Sequence, residues 1–256
     1  MSFFTKLFAS IGIGSARVDT KLERDTYRPG DKVNGVVEVK GGAVAQNIEE
    51  IYISLHTKYI VESDSKEAMK KTTIERIRIN DPFTILVDEI KEIPFSFTLP
   101  LDTPLTYGKV KVWIATSVDI KNAVDPRDED FIDVVPTPLV HAAFLALTNL
   151  GFKLREAECE EAPYTLRKRV PYLQEFEFIP INGSFRDKID EVELTFFQSA
   201  VDEADILLEI DRRSRGLTGL FSEIIELDET KVQLHVTSSD IPRLEKILYD
   251  MIIKHI

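Results

Sequence analysis

The sequence predicts a mainly β protein, built from two β-sandwich domains with a connecting helix between them and an amphipathic helix at each end. In the first half, Ile51, Ile53 and Leu55 alternate with polar neighbours, which is the two-residue period of a half-buried strand. The same alternation resumes in Leu173–Pro180 of the second half. Between these β-rich stretches, apolar residues follow the 3.6-residue period of a helix.

The first β-rich stretch covers residues 16–136. It follows a short segment, residues 1–15, that predicts an N-terminal helix ended by Gly12 and Gly14. The apolar face of that helix would carry Phe4, Leu7, Phe8 and Ile11. Strands follow at 33–39, 51–55, 93–98 and 110–118, where β-branched and aromatic residues dominate. Pro29 and Gly30 predict a tight turn between two strands.

The connecting helix is predicted over residues 137–151, since Pro136 and Pro138 break the strand pattern and Gly151 supplies a stop. Residues 152–238 then predict a second sandwich, with strands at 173–180, 192–197, 207–210 and 232–236. Asp240 is a good N-cap for a C-terminal helix over residues 239–256. Its apolar stripe consists of Leu244, Ile247, Leu248, Met251 and Ile252.

Composition excludes several classes of function. Lys and Arg number 32 against 44 Asp and Glu, a net charge of −12, so neither half offers the basic face that binds nucleic acid. The apolar runs are shorter than the roughly 20 residues that cross a bilayer, so no integral membrane association is expected. With a single cysteine, Cys159, and no secretory pattern, we expect a cytoplasmic protein.

The sequence offers no arrangement typical of catalysis. The four histidines lie outside any Ser-His-Asp or Cys-His context, and Cys159 stands between Glu158 and Glu160, which disfavour a thiolate. No HExxH or CxxC spacing and no phosphate-binding glycine loop occurs. We therefore expect no enzyme activity, no cofactor and no catalytic metal.

Two charged segments remain. The carboxylates of Asp125–Asp133 could supply hard oxygen ligands, so a calcium-dependent membrane-binding sandwich is the alternative function; the simpler interpretation is a solvated turn. Arg212, Arg213 and Arg215 form a basic island that needs carboxylate partners. Those partners would be Asp205, Glu209 or Asp211 nearby, or Asp125, Asp128 or Asp130 across the domain junction.

Several segments resemble known families. Val18–Leu22, Tyr27–Val37, Glu92–Pro100 and Asp119–Pro126 look like strands of arrestin-type domains. Met1–Gly14, Gly183–Leu194 and Glu209–Leu217 resemble the SpoOM sporulation-control proteins of Bacillus-type bacteria, and this resemblance spans nearly the whole chain.

The resemblance implies a non-enzymatic regulator of sporulation, built from arrestin-like sandwiches and acting as a scaffold or adaptor for other proteins of that pathway. By analogy with arrestins, Asp125, Asp128, Arg212, Arg213 and Arg215 are candidates for an interdomain charge network. The two terminal helices would bind partners or form a homodimer. Their simpler use is packing on the body of the protein.

Overall fold

In the computed structural model, residues 15–63, 66–121, 125–212 and 229–256 are described. They form fourteen strands and two α-helices, and the predicted mainly β fold is confirmed. The strands of the first half are β1 (Arg17–Leu22), β2 (Thr26–Tyr27), β3 (Lys32–Lys40), β4 (Gln46–Ser63), β5 (Lys66–Arg78), β6 (Phe83–Ile85), β7 (Ile90–Thr98), β8 (Val112–Ile120) and β9 (Arg127–Val134). Helix α1 (Pro138–Asn149) leads to the second half, which contains β10 (Phe152–Glu161), β11 (Tyr172–Pro180), β12 (Ile189–Ala200), β13 (Glu203–Arg212), β14 (Glu229–Thr237) and α2 (Leu244–Lys254).

The first half is a sandwich of two sheets. The smaller sheet has the order β1-β3-β7, and the larger is built around β4, which pairs with β5, β6 and β8. The period-two pattern of β7 explains the packing, because Ile93, Phe95 and Phe97 are buried while their neighbours are exposed. These side chains join one apolar core with those of β4 and β8.

The described residues of the second half form one antiparallel sheet, β10-β11-β12-β13-β14, whose neighbouring strands follow each other in the chain. Strand β10 also pairs with β4 in parallel, at Glu160 and Ile60, so the sheets of the two halves are continuous. Helix α1 packs on this sheet and inserts Phe144 among Phe176, Phe178 and Phe196, with ring centroids 4.9–5.8 Å apart.

Local signals set the ends of α1. The hydroxyl of Thr137 accepts a hydrogen bond from the backbone N–H of Val140, and Pro138 opens the first turn, where it requires no N–H partner. Gly151 follows the helix with φ of +94°, a backbone conformation that favours glycine. The helix predicted after Pro136 therefore begins and ends within two residues of its expected bounds.

The start of the C-terminal helix differs from the prediction. Thr237, not Asp240, is the N-cap, and Ser238–Arg243 form a 3₁₀-helix before α2 begins. Asp240 is the third residue of that turn, and its carboxylate accepts a hydrogen bond from the Thr237 N–H at 2.9 Å. This reciprocal capping box satisfies donors at both positions, and the helical segment begins at Ser238, one residue before the predicted bound of 239.

The apolar stripe of α2 is largely used within the chain. Leu244, Leu248 and Ile252 are buried where α2 packs beside α1, whereas Ile247 and Met251 are half-buried. Asn149 of α1 donates a hydrogen bond to the carboxylate of Glu245 at 2.9 Å. The predicted N-terminal stripe of Phe4, Leu7, Phe8 and Ile11 lies outside the described residues.

We expect Leu248→Ala to lower the free energy of unfolding by about 2–4 kcal/mol, because it leaves a cavity between α2 and the core. Urea denaturation followed by circular dichroism measures this change. Lys254→Ala, at an exposed position of the same helix, is the control and should change stability by less than about 0.5 kcal/mol. Equal stability of the two variants would show that α2 does not pack as described.

Candidate functional site

The two halves meet along a junction. On the side of the first half, this junction is formed largely by the connection between β7 and β8, residues 99–111. Tyr107 belongs to this connection. The centroid of its ring lies 5.8 Å from that of Phe144 and 6.2 Å from that of Phe176, so Tyr107 packs in the aromatic cluster of the second half. This edge-on packing supplies apolar contact between the halves. The polar contacts of the junction surround it.

Arg169, in the loop between β10 and β11, is the main charged contact. Its guanidinium donates two hydrogen bonds to the carboxylate of Asp102, one of them from Nε at 2.9 Å, and a third to the backbone carbonyl of Ile74. The carboxylate of Glu75 lies 3.6 Å away. The hydrogen bond to Asp102 raises the pKa of Arg169, and this planar, two-point geometry fixes the loop against the first half.

Gln174 supplies a second, neutral contact. Its side-chain amide accepts a hydrogen bond from the backbone N–H of Leu105 at 2.7 Å and donates one to the Leu105 carbonyl at 2.8 Å. The hydroxyl of Tyr172 donates to the carbonyl of Asp102 at 2.9 Å, and burial raises the pKa of this phenol. Side chains of the second half therefore satisfy the backbone carbonyl of Asp102 and both backbone polar groups of Leu105.

The tight turn of the first half also belongs to the junction. A methyl group placed on Gly30, whose φ is +90°, would lie 2.5 Å from Cγ2 of Val201 in the β12–β13 turn. Gly30 and Leu99 are joined by a backbone hydrogen bond of 2.8 Å, so this turn and the β7–β8 connection are held together. Glycine here serves both the backbone conformation and the close approach of the second half.

A cavity of about 480 Å³ lies between these contacts. Its walls come from the β7–β8 connection, α1, the β10–β11 loop and strands β11, β12 and β13. The apolar part includes Leu105, Val140, Leu173 and Phe196. Clefts at the boundary of two structural units are common binding sites, so this junction cavity is the candidate functional site.

The structure describes only some residues of the charge network predicted between the domains. Asp125 accepts a hydrogen bond from the N–H of Ile120 at 3.1 Å, and Asp128 accepts one from the N–H of Thr20 at 2.7 Å, so both engage the first half. Arg212 ends β13, where its backbone pairs with Ile189. Arg213 and Arg215 lie outside the described residues, so the network stays a prediction.

Asp128 and Asp130 occupy inward-facing positions of β9, beside the buried hydroxyl pair of Thr20 and Thr116 at 2.6 Å. Burial, then the charges of Asp128 and Asp19, raises the pKa of Asp130 to about 6. Within the described residues, no group of three or more His, Cys, Asp or Glu side chains is placed to hold a metal ion. The inward carboxylates thus lie in the sandwich itself, not on a loop.

Sequence reasoning missed Asp102, Arg169 and Gln174. Gln174 carried a signal, since it occupies an inward-facing position between the apolar Tyr172 and Phe176. Arg169 belongs to a second basic run, Arg167–Arg169, that resembles the Arg212–Arg215 island in charge. An inward-facing, half-buried polar residue close to a basic run indicates polar contacts between the halves.

The comparisons with known proteins agree with the fold. The family model described as SpoOM protein matches residues 4–214. The chain belongs to the SpoOM protein family. A relative from Bacillus subtilis (strain 168), the sporulation-control protein spo0M, is 45% identical over 255 residues, 98% of each chain. The crystal structure of Spo0M from Bacillus subtilis has a TM-score of 0.86 at 43% identity, covering 95% of this chain and 100% of that one.

These findings confirm the family that the sequence resembles, and they support a regulatory role. None of the helices in the described part of this SpoOM protein is long and apolar enough to span a membrane.

Gly30→Ala should lower the free energy of unfolding by about 1–3 kcal/mol, because the added methyl group meets Val201 in a strained backbone conformation. Adding Val201→Ala should recover part of the loss, whereas Val201→Ala alone, at a half-exposed side chain, should cost less. A double-mutant cycle by urea denaturation measures the coupling. Additive effects, within about 0.5 kcal/mol, would contradict this contact between the halves.

The raised pKa of Asp130 predicts that the stability of the protein depends on pH. Because its pKa of about 6 in the folded protein exceeds the unfolded value of about 3.9, its contribution to stability declines as pH rises from about 4 to 6. Asp130→Asn should therefore stabilise the protein at pH 7, on the order of 1 kcal/mol after allowance for solvent screening. The gain should shrink as pH falls and vanish by about pH 3, where the wild-type carboxyl is protonated in both the folded and the unfolded state.

Thermal unfolding across this pH range measures the effect. Asp133→Asn, at an outward and exposed position of the same strand, is the control. A stabilisation that is equal for both variants, or that persists unchanged at pH 4, would refute the role given to Asp130.

Proposed function

We propose that this protein is a non-enzymatic, cytoplasmic regulator of sporulation that acts as an interaction scaffold made of two arrestin-like domains. In this proposal, a partner protein binds at the junction of the halves and changes their relative geometry. The observation that supports this proposal best is the junction itself, where a few side chains, among them Arg169, Tyr172 and Gln174, make polar contacts beside an open cavity. Membership of the SpoOM family supports the regulatory role.

The energies of these contacts suit a switchable joint. An ion pair as exposed as Arg169–Asp102 stabilises by about 0–1 kcal/mol, and a neutral hydrogen bond contributes about 0.5–1.5 kcal/mol. Junctions between units of one chain resemble transient protein interfaces, so some relative motion is expected. A partner that binds one geometry better by a few kcal/mol can then shift the population.

The charge network of Asp125, Asp128, Arg212, Arg213 and Arg215 stays part of the proposal as a second set of contacts between the domains. A homodimer through the terminal helices remains an alternative use of their apolar residues. Partners in either case would be other proteins of sporulation control. Leu244, Leu248 and Ile252 are buried. A partner of α2 would therefore have to bind the exposed side of this helix or displace the helix from the rest of the protein.

Arg169→Gln should alter the scattering profile of the protein in solution and change sporulation efficiency when the variant replaces spo0M in Bacillus subtilis. The reason is that Gln keeps bulk but loses the charge and the two-point geometry toward Asp102. Small-angle X-ray scattering and spore counts are the measurements.

Arg155→Gln is the matched control, because Arg155 pairs with Glu177 and Glu191 wholly within the second half. An unchanged scattering profile and normal sporulation for Arg169→Gln would contradict the proposal. So would effects of the same size for both arginines.

A further inference from the structure

The junction cavity contains a hydrogen-bonding group that the described part of the chain does not use. Thr103 lies in the cavity wall and is only 3% exposed, yet its Oγ1 has no hydrogen-bond partner among the described residues. A buried hydroxyl without a partner costs about 1–3 kcal/mol, so it is seldom left unsatisfied. Its position in the wall of a cavity points to a ligand that supplies the missing partner.

The charges around the cavity indicate what kind of ligand fits. Its two carboxylates already have partners, because Asp102 pairs with Arg169 and Asp205 is hydrogen-bonded to the ring of His235 at 2.9 Å. Lys168, an exposed residue of the wall, has no ion pair within the described ranges. The unused charge of the cavity is therefore positive, and it selects a ligand with a negative group.

The shape and surroundings favour a peptide over a small molecule. The cavity opens to solvent, so a chain can pass over it while one side chain enters. The entering group would meet the apolar wall of Leu105, Val140 and Phe196. On the same loop as Lys168, Tyr164 is 93% exposed, and exposed tyrosines are frequent anchors of protein interfaces.

We propose that the junction cavity binds an acidic peptide segment of a partner protein. One apolar side chain of the segment fills the cavity, the carboxylate that follows it pairs with Lys168, and a backbone group of the segment bonds to the Thr103 hydroxyl. This inference rests on the proposed scaffold function and names the chemistry of the partner at that junction. Because the ligand contacts both halves, its binding would favour one geometry of the joint.

An array of heptapeptides tests this assignment. Each peptide carries one variable residue followed by two Glu, two Gln or two Lys, and the strongest pair is then titrated in solution by fluorescence anisotropy. We expect the strongest binding from peptides with Leu, Val or Phe followed by two Glu. Lys168→Glu should weaken this binding about tenfold and should favour the peptides with Lys, because attraction at the rim becomes repulsion.

Two variants locate the binding. Val140→Phe fills the cavity from α1 and should abolish binding of the apolar side chain, while Lys153→Glu reverses an exposed charge of β10 outside the cavity wall and should have no effect. The test at Lys168 does not depend on the folding of the Val140 variant, because Lys168 is exposed. No peptide binding at millimolar concentration would overturn the proposal, as would binding insensitive to Lys168→Glu or equal for the Glu and Lys peptides.

The same variants separate this inference from the proposed function. If Arg169→Gln changes sporulation while Lys168→Glu and Val140→Phe do not, the scaffold function stands and the acidic peptide site is wrong. If none of the three changes sporulation or solution geometry, both are wrong. Loss of sporulation control with Lys168→Glu, and not with Lys153→Glu, supports both.

Discussion

The length of strand β4 is the constraint on which the rest of the molecule depends. Its 18 residues extend over roughly 60 Å at the rise of a β-strand, which is longer than one sandwich needs. The first part pairs with β6 and β8 inside the first half, and the far end reaches β10 of the second half. One strand thus belongs to both sheets, so the position of the second half follows from the register of the first.

The direct strand pairing at this crossing is confined to one residue pair, and side chains supply the other contacts between the halves. The β7–β8 connection presents its backbone to Gln174, its carboxylate to Arg169 and its tyrosine ring to Phe144. The apolar ring contact is insensitive to small rotations, whereas the guanidinium–carboxylate pair requires one orientation. The junction therefore combines an apolar ring contact, which tolerates rotation, with an ion pair that requires one orientation, and the cavity lies between these two contacts.

Sequence periodicity predicted those parts of the fold in which neighbours along the chain share an environment. Alternation identified strands such as β7, and proline with glycine identified both α1 and the turn at Gly30. The N-cap of the C-terminal helix was assigned to the wrong residue because Thr237 and Asp240 are both good caps, and only their reciprocal hydrogen bonds decide between them. The junction residues could not be predicted as a set, since Asp102 and Arg169 are 67 positions apart and neither interrupts a periodic pattern. The resemblance to a family supplied the regulatory role, which no single residue indicated.

The order of elements along the chain has a consequence for biosynthesis. Helix α1 covers the sheet of the second half, and α2, which follows it in the chain, covers α1 with Leu244, Leu248 and Ile252. A chain still emerging from the ribosome exposes the apolar flank of α1 until these residues arrive, and a chain cut before them exposes it permanently. Chaperones and proteases recognise such exposed surface. The apolar flank of α1 is therefore covered only after residues 244–252 have been synthesised and α2 has packed against it.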